Sequence, residues 1–230
     1  MTLDRADVLS NLEQIREKIS AACERSDRAP DRVRIVAAAK GVPLDAISWV
    51  VREGVPDIGQ NYVAELRRTS REVVGARCHF IGNLQSGTVR HVAVAADVVQ
   101  TLASAVATQK LSRRAEELGR EIDCLIQVDF TGERTGVPPE GLEGFADVVE
   151  GLEGLRLVGL MTLHPMPERP EDARRHFVRL RELREELSRS HPAVLETSMG
   201  MSFDYEVAVE EGATMVRIGT ALFGPRAQSR

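Results

Sequence analysis

Lysine is scarce in this chain of 230 residues: only Lys18, Lys40 and Lys110 occur, and the other 27 basic positions are arginine. Cysteine is scarce as well. Cys23, Cys78 and Cys124 are odd in number and far apart, which excludes a disulfide framework or a Cys-based zinc site and predicts buried thiols. No histidine has a cysteine at ligand spacing, so no metal is expected. No apolar run approaches the ~20 residues that cross a bilayer. The opening MTLDRADVLSNLEQIREK reads as a charged helix rather than a signal peptide, so a cytoplasmic protein without a membrane partner is expected. Basic surplus is missing too: the net charge is −5, and the arginines of segment 169–189 alternate with acids at helical spacing, which predicts a solvated face and no nucleic-acid partner. A GxGxxG turn is absent after the first candidate strand, which argues against an open doubly wound sheet. The sequence GNLQSG at 82–87 has the gap of a P-loop but continues Thr-Val-Arg, so it is not read as a nucleotide site.

What is present is alternation. With 43% hydrophobic residues the chain can bury a full core, and its length suits one domain, 1–230. A helix from Asp4 to Arg25 comes first. Candidate strands follow at 33–40, 57–61, 77–82, 97–102, 123–130, 155–163, 193–198 and 214–219, separated by helical stretches such as 44–54, 62–74, 103–119, 140–151 and 172–190. Eight such units in a chain near the typical ~250 residues predict a single (β/α)8 TIM-type barrel with an extra N-terminal helix. The Pro-rich patch 164–170 reads as a long loop after the sixth strand.

In such a barrel the functional face lies at the C-terminal ends of the strands. Polar residues gather there: Lys40 after strand one, Gln60 and Asn61 after strand two, Gly82 and Asn83 after strand three, Ser198 and Gly200 after strand seven, Gly219 and Thr220 after strand eight. Glycine and serine are ordinary turn residues, but their coincidence after strands seven and eight fits a phosphate site. Period-2 alternation points Met215 and Arg217 into the barrel and Val216 and Ile218 toward the helices. A buried arginine needs a partner, either a structural carboxylate or a ligand acceptor. The same parity groups Val36, Ala38 and Lys40, with the small Ala38 leaving room beneath the lysine. Taken alone, Lys40 could be a snorkelling residue in an arginine-biased chain. A lysine amine, a phosphate cradle and an inward arginine at one mouth, however, are what pyridoxal phosphate (PLP) requires: an aldehyde trap, an anchor and a donor to the ring nitrogen.

The segments VAAAKG, IGQNYVAEL, CHFIGNLQS, GLMTL and TSMGMSFDYEVAVEEGATMVRIGTALFG cover nearly the whole chain and resemble the pyridoxal phosphate homeostasis protein family, single-domain relatives of the alanine racemase barrel. The resemblance implies that Lys40 holds PLP as an internal aldimine, a Schiff base, and that Arg217 faces the ring nitrogen. It further implies phosphate contacts from Ser198, Gly200, Gly219 and Thr220, a pocket lined by Asn61, His79 and Met161, and PLP-dependent apoenzymes as partners. The chain departs from the family pattern at Gln60, usually glutamate, at Ala39, usually serine, at Gly87 and Thr88, usually Asn-Lys, at Phe203, usually aspartate, and in the shortened TGERTG loop. These changes bear on surface lysines and charges around the pocket rather than on cofactor binding.

Arginine has no proton acceptor to offer a ring nitrogen and leaves it neutral, which disfavours carbanion chemistry. Racemases resembling this barrel also use a tyrosine across a dimer, whereas Tyr62 and Tyr205, the two tyrosines here, read as helix packing. No opposed acid and base stand out. The expected function is therefore intracellular PLP homeostasis by a monomeric carrier with no catalytic residue. A weak PLP-dependent amino-acid racemase or lyase is the alternative, and a sugar-phosphate aldolase using Lys40 is the third reading.

Overall fold

The computed structural model describes residues 3–225 and opens with α1 (Arg5–Arg25), whose first turn is capped by Asp4, its carboxylate accepting from the Ala6 N–H at 2.7 Å. Val8, Leu12, Ile15, Ile19 and Ala22 recur at three- and four-residue spacing, and all are buried on one face. The barrel then follows in order: β1 (Arg34–Ala38), α2 (Leu44–Arg52), β2 (Asp57–Gln60), α3 (Val63–Glu72), β3 (Arg77–Phe80), α4 (Val89–Ala95), β4 (Val98–Leu102), α5 (Ala105–Glu117), β5 (Ile122–Val128), α6 (Leu142–Glu150), β6 (Leu155–Thr162), α7 (Arg174–Leu187), β7 (Glu196–Met201), α8 (Tyr205–Glu210), β8 (Met215–Ile218) and α9 (Thr220–Phe223). The eight strands pair in parallel, each with its neighbour in sequence, and β8 returns to β1 to close the barrel. Eight parallel strands in a closed barrel with alternating helices are the expected architecture.

Three local differences from the sequence reading matter. Strand β7 runs 196–201 rather than 193–198, because Ser-Met-Gly reads as a turn yet here continues the strand through an irregularity in its pairing with β8. Gly200 sits at that irregularity with φ +84°, and a Cβ there would stand 2.5 Å from the Ala208 Cβ, so glycine lets α8 close onto the strand. Helix α4 has no counterpart in the sequence reading, since Thr-Val-Arg-His-Val-Ala-Val carries a strand-like content of β-branched residues. Lys40 lies two residues beyond the end of β1, in a turn closed by the Val42 N–H on the Ala39 carbonyl at 3.1 Å.

Helix α9 has only four residues, too short to cover the seam between β8 and β1. Helix α1 packs against α8, α9 and α2, and so occupies the place in the outer ring where a helix following β8 would lie. Arg25 holds Glu210 at 2.7 Å and Lys18 reaches Glu206 at 3.7 Å, fixing α1 along α8. The arginine-rich α7 is not solely a solvated face: Arg174 binds Glu210 at 2.6 Å and Arg181 binds Glu211 at 2.7 Å, tying α7 to α8.

The main core lies between strands and helices, while Val36, Val98, Leu125, Met161 and Met215 form a separate apolar layer inside the barrel. The N-terminal ends of the strands carry a floor of charge: Arg34 binds Glu196 at 2.6 Å, Arg156 binds Asp123 at 2.7 Å, and Arg77 bridges Asp123 and Asp57. Cys23, Cys78 and Cys124 are buried free thiols, as expected. Among the described residues no helix is long and apolar enough to cross a membrane.

Candidate functional site

At the C-terminal end of the barrel a cleft of about 430 Å³ is lined by Ala38, Lys40, Tyr62, Glu65, Gly219 and Thr220, among others. Lys40 reaches it because Gly41, at φ +71°, turns the chain immediately after the lysine. The Gly41 N–H donates to Glu65 Oε1 at 3.1 Å, which anchors the turn to α3. The Lys40 ammonium lies 4.9 Å from the centre of the Tyr62 ring, a cation–π distance. Ala38 lines the cleft beneath it, as the strand parity predicts.

Gly219 and Thr220 line the cleft at the end of β8, the strand paired with β1. The Ser202 hydroxyl accepts from the N–H groups of Gly219 and Ala221, both at 3.1 Å, and among the described residues its own hydrogen has no acceptor. The Ser202 oxygen thus takes up both amides, and its free hydrogen lies beside Gly219 and Thr220. Ser202 was not among the expected residues. The three-residue displacement of β7 explains this: the strand continues past Ser198, so the first hydroxyl beyond it belongs to Ser202.

Ser198 instead lies wholly inside the barrel, where its hydroxyl donates to Gln100 Oε1 at 2.7 Å. Arg217 is also inward and buried, as parity predicts, but its hydrogen-bond partners are not carboxylates. Nη1 donates to the Ser198 carbonyl at 2.8 Å and the Ser198 hydroxyl at 2.7 Å, and Nη2 donates to the Thr162 carbonyl at 2.7 Å. Of the five guanidinium hydrogens, Nε–H and one on Nη2 have no partner among the described residues. Burial pushes Arg217 down to about 10, partly offset by the charge of Asp204, so it remains a cation at neutral pH. Asp204 is itself held by the Met201 N–H at 2.7 Å and faces His164 Nε2 at 3.1 Å.

The remaining expected residues do not all converge on the cleft. His79 is fully enclosed within the barrel, its Nε2 2.7 Å from Asp57 Oδ1 and its Nδ1 2.8 Å from Gln100 Nε2. Met161 belongs to the interior apolar layer. Asn61, half-buried between Gln60 and Tyr62, brings its carbonyl so near Gly82 that a Cβ there would lie 2.1 Å from the oxygen. Gly200 is occupied with α8, and Gln60 turns outward to donate to Thr69 of α3 at 3.1 Å. The Gln60 departure from the family pattern therefore lies outside the cleft wall. Among the described residues no group of histidine, cysteine and carboxylate side chains could hold a metal ion.

Comparison with known proteins agrees with this architecture. The family model described as "Alanine racemase, N-terminal domain" matches residues 10–227. The pyridoxal phosphate homeostasis protein of Aquifex aeolicus is 38% identical over 220 residues, covering 94% of this chain and 96% of the relative. The protein of the same name from Escherichia coli is 37% identical over 235 residues, covering 97% and 99%. Among solved structures, PipY of Synechococcus elongatus with PLP bound superposes with a TM-score of 0.79 at 30% identity, covering 91% of this chain and all of that one.

Proposed function

Because the chain belongs to the pyridoxal phosphate homeostasis protein family, on the N-terminal barrel of alanine racemases, we propose that it binds PLP reversibly in the Lys40 cleft and serves intracellular PLP homeostasis. The observation that carries the reading is the donor set of the cleft. An amine and the Gly219–Thr220 turn in the cleft wall, the free Ser202 hydroxyl hydrogen beside that turn, and a buried cation with two unused N–H groups match the aldehyde, phosphate and pyridine nitrogen of one molecule. The PLP-bound PipY structure supports the same ligand.

PLP, when bound, supplies an aldehyde able to bond covalently and reversibly to a primary amine. In this reading Lys40 provides the amine, which arginine could not, and the Tyr62 ring keeps it at the cleft wall. Thr220 and Ser202, whose oxygen carries the Gly219 and Ala221 amides and whose hydrogen is free, would hold the phosphate. Arg217 would donate to the ring nitrogen and, having no acceptor to offer a proton on that nitrogen, would favour its unprotonated form. Asn61 adjoins Tyr62 of the cleft wall in sequence, and His79, Met161 and Ser198 act from beneath the cleft. Gly200 contributes through the path of β7. The site thus suits holding and releasing PLP for PLP-dependent apoenzymes better than withdrawing electrons from a substrate.

The test is the absorption spectrum of the purified, PLP-reconstituted protein before and after borohydride, followed by peptide mass mapping. A visible band removed by borohydride, with a pyridoxyl mass on Lys40, is expected. In Lys40→Ala the adduct should vanish, while stability changes by no more than about 1 kcal/mol, the size of an exposed cation–π contact. An adduct on Lys18 or Lys110, or none at all, would refute the assignment.

A further inference from the structure

Arg217 is one end of a line of hydrogen bonds that traverses the barrel interior and ends at Asp57 in the charged floor. Its members come from β8, β7, β4, β3 and β2 in turn: Arg217, Ser198, Gln100, His79 and Asp57. The link from Gln100 to Ser198 crosses the lumen, since β4 and β7 are not neighbours in the sheet.

The direction of every bond follows from the chemistry of one end. A guanidinium only donates, so the Ser198 oxygen must accept from Arg217, and its own hydrogen goes to Gln100 Oε1. The other end of that amide is then a donor, which makes His79 Nδ1 an acceptor. Nε2 therefore carries the hydrogen and donates it to the Asp57 carboxylate. The imidazole is neutral, with its tautomer fixed from both sides. Burial, outweighing the bond to Asp57, also keeps His79 below its ordinary value, and Arg77 and Arg34 act in the same sense.

Three of the arginine's hydrogens already find oxygen on Ser198 and Thr162, so the groups beyond Ser198 are not needed to satisfy it. An apolar filling from Gln100 downward would extend the adjoining layer of Val36, Val98 and Leu125, leaving the Ser198 hydroxyl hydrogen and one Asp57 oxygen as the groups that lose a partner. The extended line instead couples a buried cation that lacks any hydrogen-bonded carboxylate to the carboxylate of Asp57, through bonds polarised in one sense. We propose that Gln100 and His79 are positioning residues for the ligand: acting through Ser198, they hold Arg217 so that its two unused N–H groups remain free for the cleft. This rests on the reading of Arg217 as the donor to the PLP ring nitrogen.

The experiment combines 15N NMR of the ligand-free full-length protein with PLP retention measured by dialysis and absorbance. In the wild type His79 should show a protonated Nε2 and a bare Nδ1. Gln100→Met removes both the donor to Nδ1 and the acceptor of the Ser198 hydroxyl. It should release the tautomer and weaken PLP retention about tenfold, the effect of disturbing one hydrogen bond to a charged group. Gln100→Glu retains the acceptor for Ser198 and should restore retention while driving His79 to the doubly protonated form. If Gln100→Met does not fold, Ser198→Ala interrupts the same line with a smaller change and should reproduce the weakened retention.

A wild-type His79 protonated on Nδ1 would overturn the direction of the line. Wild-type retention in a folded Gln100→Met or Ser198→Ala protein would overturn the positioning role. If the wild-type protein takes up no PLP, the PLP reading fails and the positioning role with it, while the tautomer measurement still decides whether the line exists.

Discussion

Replacing Gly200 by alanine tests whether this residue serves the packing of α8 or contacts the ligand. At φ +84° a side chain costs about 1–2 kcal/mol from the clash of Cβ with its own backbone. The new methyl would also lie 2.5 Å from the Ala208 Cβ and 3.0 Å from the Tyr205 Cα, overpacking that typically costs a further ~1–3 kcal/mol. The expected loss is then about 2–5 kcal/mol, which lowers the urea midpoint by roughly 1 M for a slope on the order of 3 kcal/mol/M. The assay is urea unfolding followed by circular dichroism. The contact with Ala208 supplies an internal control. Combining Gly200→Ala with Ala208→Gly should recover the steric part but not the backbone part, giving a favourable coupling of about 1–2 kcal/mol in a double-mutant cycle. PLP retention in the fraction that remains folded should be unchanged. A loss below ~1 kcal/mol, an absent coupling, or weakened retention in a fully stable variant would refute the packing role and return Gly200 to the ligand site.

Ser202→Ala should weaken PLP retention about tenfold with little change in melting temperature, since it removes a half-exposed hydroxyl beside Gly219; unchanged retention would remove this residue from the phosphate site. The barrel interior should make the protein acid-sensitive in two stages. His79 is held below its ordinary 6.5 by burial, so the unfolded chain takes up this proton first and stability falls as pH drops below about 6.5. Asp57 is buried, yet its bond to His79 and the charges of Arg34 and Arg77 hold it below 3.8, so its contribution is present above that pH and lost beneath it. Urea midpoints from pH 8 to pH 3 measure both stages, and a flat profile between pH 7 and 5 would contradict the first. Burial raises the Cys23 and Cys124 thiols and pushes Cys78 up to about 12. A thiol reagent at pH 8 should therefore leave all three unmodified in the native protein and label them in urea; rapid native labelling of Cys78 would contradict its burial.

Strand and helix periods carried most of the architecture, because each βα unit repeats the same local alternation. Parity on short strands was equally informative: it turned Arg217 inward and put Ala38 below Lys40, both as found. The errors arose where local signals conflict. Ser198, Met199 and Gly200 carry turn residues inside a strand, and the valines of α4 resemble a strand inside a helix. Ser198 lies inside the barrel and Ser202 is the first hydroxyl beyond β7 as a direct result. The line from Arg217 to Asp57 was illegible for a different reason. Its members lie on five strands separated by as many as 160 positions in sequence, and alternation tells which way a side chain points but not the height at which it meets another across a closed barrel.

The placement of α1 sets an order of events during synthesis. This helix is made well before α8 and α9, yet it packs against both as well as against α2. At 5–20 residues per second the helix waits roughly 10–40 s for these later partners. Throughout that interval the nascent chain carries an unpaired sheet edge at β1 and an apolar helix that only α2 covers, both exposed to association with other chains. The barrel's last seam is thus a checkpoint on translation: only a chain that has reached β8 can shelter its own beginning.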